Sequence, residues 1–393
     1  MDKLISVVAS PLPFIILISI VITVHELGHY FVGRFFGAAV ESFSVGFGKS
    51  IIEVKDKRGT RWRINWLPLG GFVKFVGELQ APTDHRDDPR EAGPIGKSYT
   101  ALGPFKRLAV SLGGPLANFV FAIVVFAGIG MGLGVPDANE VRVTEVQASS
   151  PADIAGFKVG DVVLTAGGRE VATYNDVTRA TTLSAGEPVL YRVLREGHEI
   201  DLTATPVERS EHNDAFNVTE KVGKIGLGLE NKGGRIRVLN PIEAIGYGFS
   251  ATGDAISNTV NVLRRLVTGK DGLDKMSGPV GIFSLTDNMT DVAMGQKGVN
   301  FGERLAMVAL NLLQLAAILS IGVGFFNLLP IPVLDGGAAV MCLAEAATGK
   351  EIPEKVQRVG LTIGLACLVS FALVITWQDI GRLPWLVALL GHN

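Results

Sequence analysis

The sequence predicts a polytopic α-helical membrane protein, with four transmembrane helices, an inserted α+β domain and a membrane-associated β-hairpin or sheet. Three observations predict it. The 393 residues are 48% hydrophobic and only 19% charged, with a mean hydropathy of +0.36, on the bilayer side of ordinary soluble composition. Four stretches, 11–36, 108–135, 305–329 and 359–377, approach the roughly 20 apolar residues that a spanning helix needs. Between the second and third, from about residue 139 to 207, short alternating segments replace the long apolar runs.

The chain accordingly divides into 1–37 (first span), 38–104 (a loop with a membrane-associated β-element), 105–136 (second span), 137–208 (the α+β domain), 209–304 (linker and amphipathic helix), 305–349 (third span) and 350–393 (fourth span and tail). The first apolar run follows a weakly charged start and has no clear small-residue cleavage site, so it is expected to stay as an anchor. A formal net charge of −2 argues against nucleic acid as a partner. Cys342 and Cys367 both lie in apolar runs, so neither a disulfide framework nor a cysteine-based zinc knuckle is expected. A metal would have to rely on His and carboxylate groups.

The loop after the first span is basic, with Lys49, Lys55, Lys57, Arg58, Arg61, Arg63 and Lys74. By the positive-inside rule it is cytoplasmic, which puts the segment between spans two and three on the far side. The same loop alternates over 42–48 and 61–66, and Gly70-Gly71 precedes another apolar segment at 72–76. Trp62, Trp66, Phe72 and Phe75 beside basic side chains are an interfacial composition.

In the α+β domain, strands are expected at 141–146, 162–166, 189–194 and 200–204. A short run of small residues, Ser150-Pro151-Ala152-Asp153-Ile154-Ala155-Gly156, leads through Gly160-Asp161 into a strand and Gly167-Gly168. This pattern resembles a PDZ domain, in one clear copy. Residues 208–222 are polar and read as a linker. The stretch 241–269 reads as an amphipathic helix carrying Ile242, Ile245, Phe249, Ile256, Val260, Leu263 and Leu266 at helical spacing.

The chemistry concentrates in His25-Glu26-Leu27-Gly28-His29. Two histidines four apart share one helical face and can share one ion, with Glu26 beside it. That is the arrangement of zinc hydrolysis, in which imidazoles hold Zn²⁺, the ion lowers the pKa of a water to about 7, and a carboxylate takes the proton. A buried acidic or basic residue costs about 2.5–3.5 kcal/mol on the insertion scale, and a plain helix has no need of one. The third ligand must then come from elsewhere at membrane depth. Asp335 stands in Asn327-Leu328-Leu329-Pro330-Ile331-Pro332-Val333-Leu334-Asp335-Gly336-Gly337, where two prolines break an apolar helix. A helix N-cap is its alternative role, and Glu345 is the weaker candidate ligand. Asn327 is suited to hydrogen-bonding an unwound substrate or to packing helices. Gly113-Gly114-Pro115-Leu116-Ala117-Asn118 reads as close helix packing, and His85, His198, His212 and His392 receive no metal role.

Taken together, the pentapeptide in the first span, Asn327 to Gly336 in the third and the intervening PDZ-like domain resemble the bacterial site-2 protease family, in its RseP-like branch. The resemblance runs over essentially the whole chain. It implies an intramembrane zinc metalloendopeptidase with Zn²⁺ on His25, His29 and Asp335 and with Glu26 as catalytic base. It also implies substrate contacts at Asn327, at the Gly46 and Gly48 loop, and at the strand that begins near Phe72. Single-span membrane proteins in the lipid bilayer are the implied partners, such as anti-sigma factors or remnant signal peptides, in a bacterial inner membrane. The PDZ-like groove would take a peptide terminus or filter by size. A non-enzymatic membrane scaffold and a membrane-face zinc protease of another family are the alternatives.

Overall fold

The computed structural model describes residues 11–78, 94–136, 140–182, 184–213, 218–270, 272, 276 and 278–381. Four of its helices are long and apolar enough to cross a membrane: α1 (Pro11–Phe35), α2 (Pro104–Gly132), α7 (Phe301–Asn327) and α9 (Glu354–Ile380). The shortest has 25 residues, about 37 Å at 1.5 Å per residue, which exceeds a hydrocarbon core of about 30 Å. The chain falls into two compact units, one holding most of these helices and the other holding most of the sheet structure between α2 and α7.

In the first unit, Leu17 and Val21 of α1 pack on Leu315 and Ala316 of α7. The helix α6 (Pro279–Met294) joins this cluster through Ile282, Leu285 and Met289. It was not expected within 209–304. Its short apolar pattern is interrupted by polar residues, and its N-terminus is closed from another element: Gly278 and Gly281 donate backbone N–H groups to Asp379 Oδ2, both at 2.9 Å.

The loop after α1 is a sheet of more than hairpin complexity. Strands β1 (Val40–Lys55) and β2 (Arg61–Phe75) pair in three registers. Val40 to Val45 run against Phe75 to Gly71, and Ser50 to Lys55 run against Asn65 to Arg61. Ser42 to Val45 also lie beside Arg61 to Ile64, with both numbers rising together. Each strand therefore contributes two segments to a four-segment sheet, with 40–45 bonded on both sides. The bend in β1 falls at glycines with left-handed backbone, Gly46 (φ +86°) and Gly48 (φ +87°), and the bend in β2 contains Gly70 (φ +145°). At Gly46 a Cβ would also come within 2.7 Å of the Leu67 carbonyl oxygen. Phe43, Val73 and Phe75 pack with Tyr30 and Val110, which seats the sheet against α1 and α2.

Beyond α7, residues 328–334 are non-helical, and α8 (Asp335–Thr348) begins at Asp335. Leu334 holds the N-cap position without a side-chain cap. The N-cap role considered for Asp335 is thus not the one it plays. A Cβ on Gly336 would collide with the Leu328 and Leu329 carbonyl oxygens, and one on Gly337 with that of Ile331, so both glycines are required by close backbone approach.

In the second unit, β4 (Glu140–Val146), β5 (Val162–Ala166), β7 (Val189–Arg195), β8 (His198–Ala204) and β11 (Leu227–Lys232) form an antiparallel sheet in the order β11-β4-β5-β7-β8. Its core holds Val141, Val143, Phe157, Val163, Tyr191 and Val193. Asp161 is buried and receives two 2.7 Å hydrogen bonds from Arg195. Two expectations need correction. The sheet does not end near residue 208, because β11 closes it against β4. The stretch expected to be a linker forms a hairpin, β9 (Val207–Asn213) with β10 (Val218–Lys224), since backbone pairing needs no apolar alternation. The helix expected at 241–269 is α5 (Pro241–Val267), opened by a capping box of Asn240 and Glu243.

Candidate metal centre

His25 and His29 are one turn apart in the second half of α1 and are both buried. Their Nε2 atoms lie 3.2 Å apart. Asp335, the first residue of α8, brings Oδ2 to 3.0 Å from His25 Nε2 and Oδ1 to 3.4 Å from His29 Nε2. The break after α7 makes this possible, because a continuous helix would carry Asp335 onward along its axis. One ligand atom from each of the three residues lies within 4.8 Å of the others.

The arrangement fits a bound cation. His29 Nδ1 is 2.8 Å from the Val110 carbonyl oxygen, which can only accept, so Nδ1 carries the proton and Nε2 keeps its lone pair. His25 Nδ1 is 3.2 Å from the Asn118 side-chain amide. The Asn118 Oδ1 is buried without a hydrogen-bond partner, and exchanging the amide's O and N gives His25 Nδ1–H an acceptor. Both imidazoles then aim bare Nε2 lone pairs at each other and at a carboxylate. Asp335 Oδ2 is likewise buried with no hydrogen bond. Three electron-rich groups facing one another repel unless a cation lies between them, and two imidazoles with one carboxylate are a zinc donor set.

Room for this cluster comes from α2. A Cβ on Gly114 would stand 2.7 Å from His25 Nε2 and collide with His29. One residue earlier, Gly113 and Gly28 let the two helix backbones touch, since a Cβ on either would overlap the other's carbonyl.

The site opens on a cavity of about 370 Å³ whose walls come from α1, β2, α2, α7 and α8. Glu26, Phe72, Val73, Glu78, Asn327 and Asp335 all line it. Glu26 Oε2 accepts from the Val73 amide at 2.9 Å. Asn327 is the last residue of α7, and Phe72 stacks on Phe47 with ring centroids 6.4 Å apart. Gly46 and Gly48 shape the bends of the sheet but are not among the lining residues. Burial pushes the Glu78 carboxyl up to about 7.

Glu345, the other carboxylate considered for the metal, is buried and engaged elsewhere. It pairs with Arg107 at the start of α2 and accepts from the Ile352 amide at 3.1 Å. His198 is exposed and lies 3.2 Å from the Glu196 carbonyl. His85 and His392 lie outside the described residues.

Comparison with known proteins decides the family. The model of "Peptidase family M50" matches residues 13–371. The chain belongs to peptidase family M50. Its relatives in this family include "Putative zinc metalloprotease Atu1380" of Agrobacterium fabrum, 35% identical over 94% of this chain and 95% of that protein. "Metalloprotease MmpA" of Caulobacter vibrioides is 36% identical over 93% of this chain and 94% of its own length. As an M50 member the chain is a multi-pass membrane protein and a zinc metalloendopeptidase. The non-enzymatic scaffold and the protease of another family fall away as alternatives.

Three residues around this cluster and its cavity are not marked as functional by the sequence alone. From sequence, Asn118 and Gly114 read as helix packing. The available signal was their spacing of four, which stacks a buried amide and a glycine on one face of α2. Glu78 carried no motif and is recruited only by the fold of β2.

Proposed function

We propose that this protein is an intramembrane protease that cuts the transmembrane segments of single-span membrane proteins, with zinc held by His25, His29 and Asp335. The observation that carries the reading is the meeting of His25, His29 and Asp335 beside Glu26, with both histidines on a helix apolar enough to span a bilayer. Held there, zinc would supply Lewis acidity toward the scissile carbonyl and a water. Glu26 takes a proton from the attacking water at a carboxylate oxygen as the water oxygen adds to the carbonyl carbon. The same carboxyl then delivers the proton to the amide nitrogen as the C–N bond breaks. Asn118 and the Val110 carbonyl orient the imidazoles.

Asn327, at the C-terminal end of α7, is suited to hold unwound substrate backbone, and Phe72 and the β2 edge to receive it as an added strand. Gly46 and Gly48 serve that role indirectly, by bending the sheet. The second unit is read as a PDZ-like domain that takes a peptide terminus or screens substrates by size. The location is read as a bacterial inner membrane, with the basic β1–β2 loop on the cytoplasmic side and the PDZ-like domain on the periplasmic side. Anti-sigma factors and remnant signal peptides are the substrate classes in view.

Cleavage of a single-span reporter by the wild type, Glu26→Gln and Asp335→Ala tests this. Glu26→Gln should abolish cleavage and keep zinc, while Asp335→Ala should lose both. Undiminished cleavage by Glu26→Gln would end the proposal.

A further inference from the structure

The segment 71–75 of β2 is the outer strand of the four-segment sheet, bonded to 40–45 on one side. Its amides alternate between two directions. Val76, in phase with 72 and 74, donates inward to the Ala39 carbonyl at 3.0 Å. Val73 and Phe75 point the other way and meet carboxylates. Val73 donates to Glu26 Oε2 at 2.9 Å, and Phe75 donates to Glu78 Oε2 at 3.2 Å. The Phe75 carbonyl in turn accepts from the Glu78 amide at 3.3 Å. Glu78 thus closes both main-chain groups of Phe75 within one turn, whereas the Val73 amide is held by a side chain that hydrolysis needs for another task.

We propose that Glu78 sets the register of the substrate, by ending the usable edge at Val73 and so selecting which peptide bond lies at His25, His29 and Asp335. This rests on the proteolytic reading above and deepens it. A substrate carbonyl that takes the Val73 amide occupies the place of Glu26 Oε2, beside the two histidines, and leaves that carboxylate free to act as base. A ladder that ran on to Phe75 would gain one more donor and allow the unwound segment to slide. A slip of one residue turns every side chain to the other face, so the competing register lies two residues away. Phe75 is the donor it would use, and Glu78 occupies it. Glu78 is a positioning residue in this scheme and takes no proton from the reaction.

The test uses the full-length, zinc-loaded protein with a single-span reporter, and reads product masses. The wild type should cut one principal bond. Glu78→Ala removes the acceptor and Glu78→Asp withdraws it by one methylene. Both should raise the product displaced by two residues about tenfold, the worth of roughly one hydrogen bond. Glu78→Gln keeps an acceptor oxygen and should retain the wild-type products. Cleavage at the wild-type bond alone by both Ala and Asp variants overturns the proposal, as does a displaced product from Gln equal to that from Ala. Amide hydrogen exchange in substrate-free protein supplies a second reading. Phe75 should exchange faster in Glu78→Ala but not in Glu78→Gln, and no difference between Ala and wild type also overturns it. Failure of the proteolytic reading looks different: the reporter is then left uncut by the wild type, or is cut equally by Glu26→Gln.

Discussion

The Asn118 side-chain amide stands 3.2 Å from His25 Nδ1, on the side of the ring away from Asp335. It links α2 to the first histidine as the Val110 carbonyl links α2 to the second. Removing such a partner typically costs 10–100-fold in metal affinity. Asn118→Ala should weaken zinc binding by roughly that factor, measured by competition with a chelator, and Asn118→Asp should recover most of it. Unchanged affinity in the alanine variant would reduce Asn118 to helix packing.

Two neighbouring glycines of α2 should fail in different ways. Gly114→Ala puts a methyl group against both Nε2 atoms, so elemental analysis should find the purified protein depleted of zinc with its helix content intact. Gly113→Ala and Gly28→Ala instead wedge α1 and α2 apart. They should lower thermal stability by about 1–3 kcal/mol, the usual cost of overpacking.

The pair between Arg107 and Glu345 ties the start of α2 to the helix that Asp335 begins. Arg107→Ala leaves a buried carboxylate without its cation, and thermal unfolding should register a loss of about 3–5 kcal/mol. Replacing both with methionine should recover most of that loss. Equal destabilisation by the single and double variants would mean that packing, not charge, holds the helices.

Acid should loosen the end of α5. Lys270 and Arg264 hold the Glu187 carboxyl below its ordinary range. The folded value is depressed, so the stabilisation is complete above the unfolded value of about 4.3 and fades as pH falls through the folded one. The group is exposed enough that the effect should stay under about 1 kcal/mol. Limited proteolysis near residues 264–270 should accelerate below about pH 4 in the wild type, and Glu187→Gln should cleave at a rate independent of pH there.

The meeting of His25, His29 and Asp335 was anticipated in the sequence because polar groups in apolar runs stand out by their cost. His25, Glu26, His29 and Asp335 could each be found from neighbours in sequence alone. Four strands of the second unit, β4, β5, β7 and β8, were legible from short runs rich in β-branched and apolar residues bounded by turn residues. The four-segment sheet was not, because its registers are set where distant segments meet and its bends depend on glycine backbone at Gly46 and Gly48. The hairpin of β9 and β10 carries too little apolar alternation to read as strands. Asn118 could be matched to His25 only once the crossing of Gly28 over Gly113 brought the two helices together.

The Val73 amide bound to Glu26 has a bearing on inhibitor chemistry. A compound built as a short extended amide with a chelating end could engage that donor and the ligand cluster together. Its backbone would displace the carboxylate from Val73, and its selectivity would come from side chains reaching Phe72 and Asn327 and not from metal affinity, which any zinc hydrolase offers.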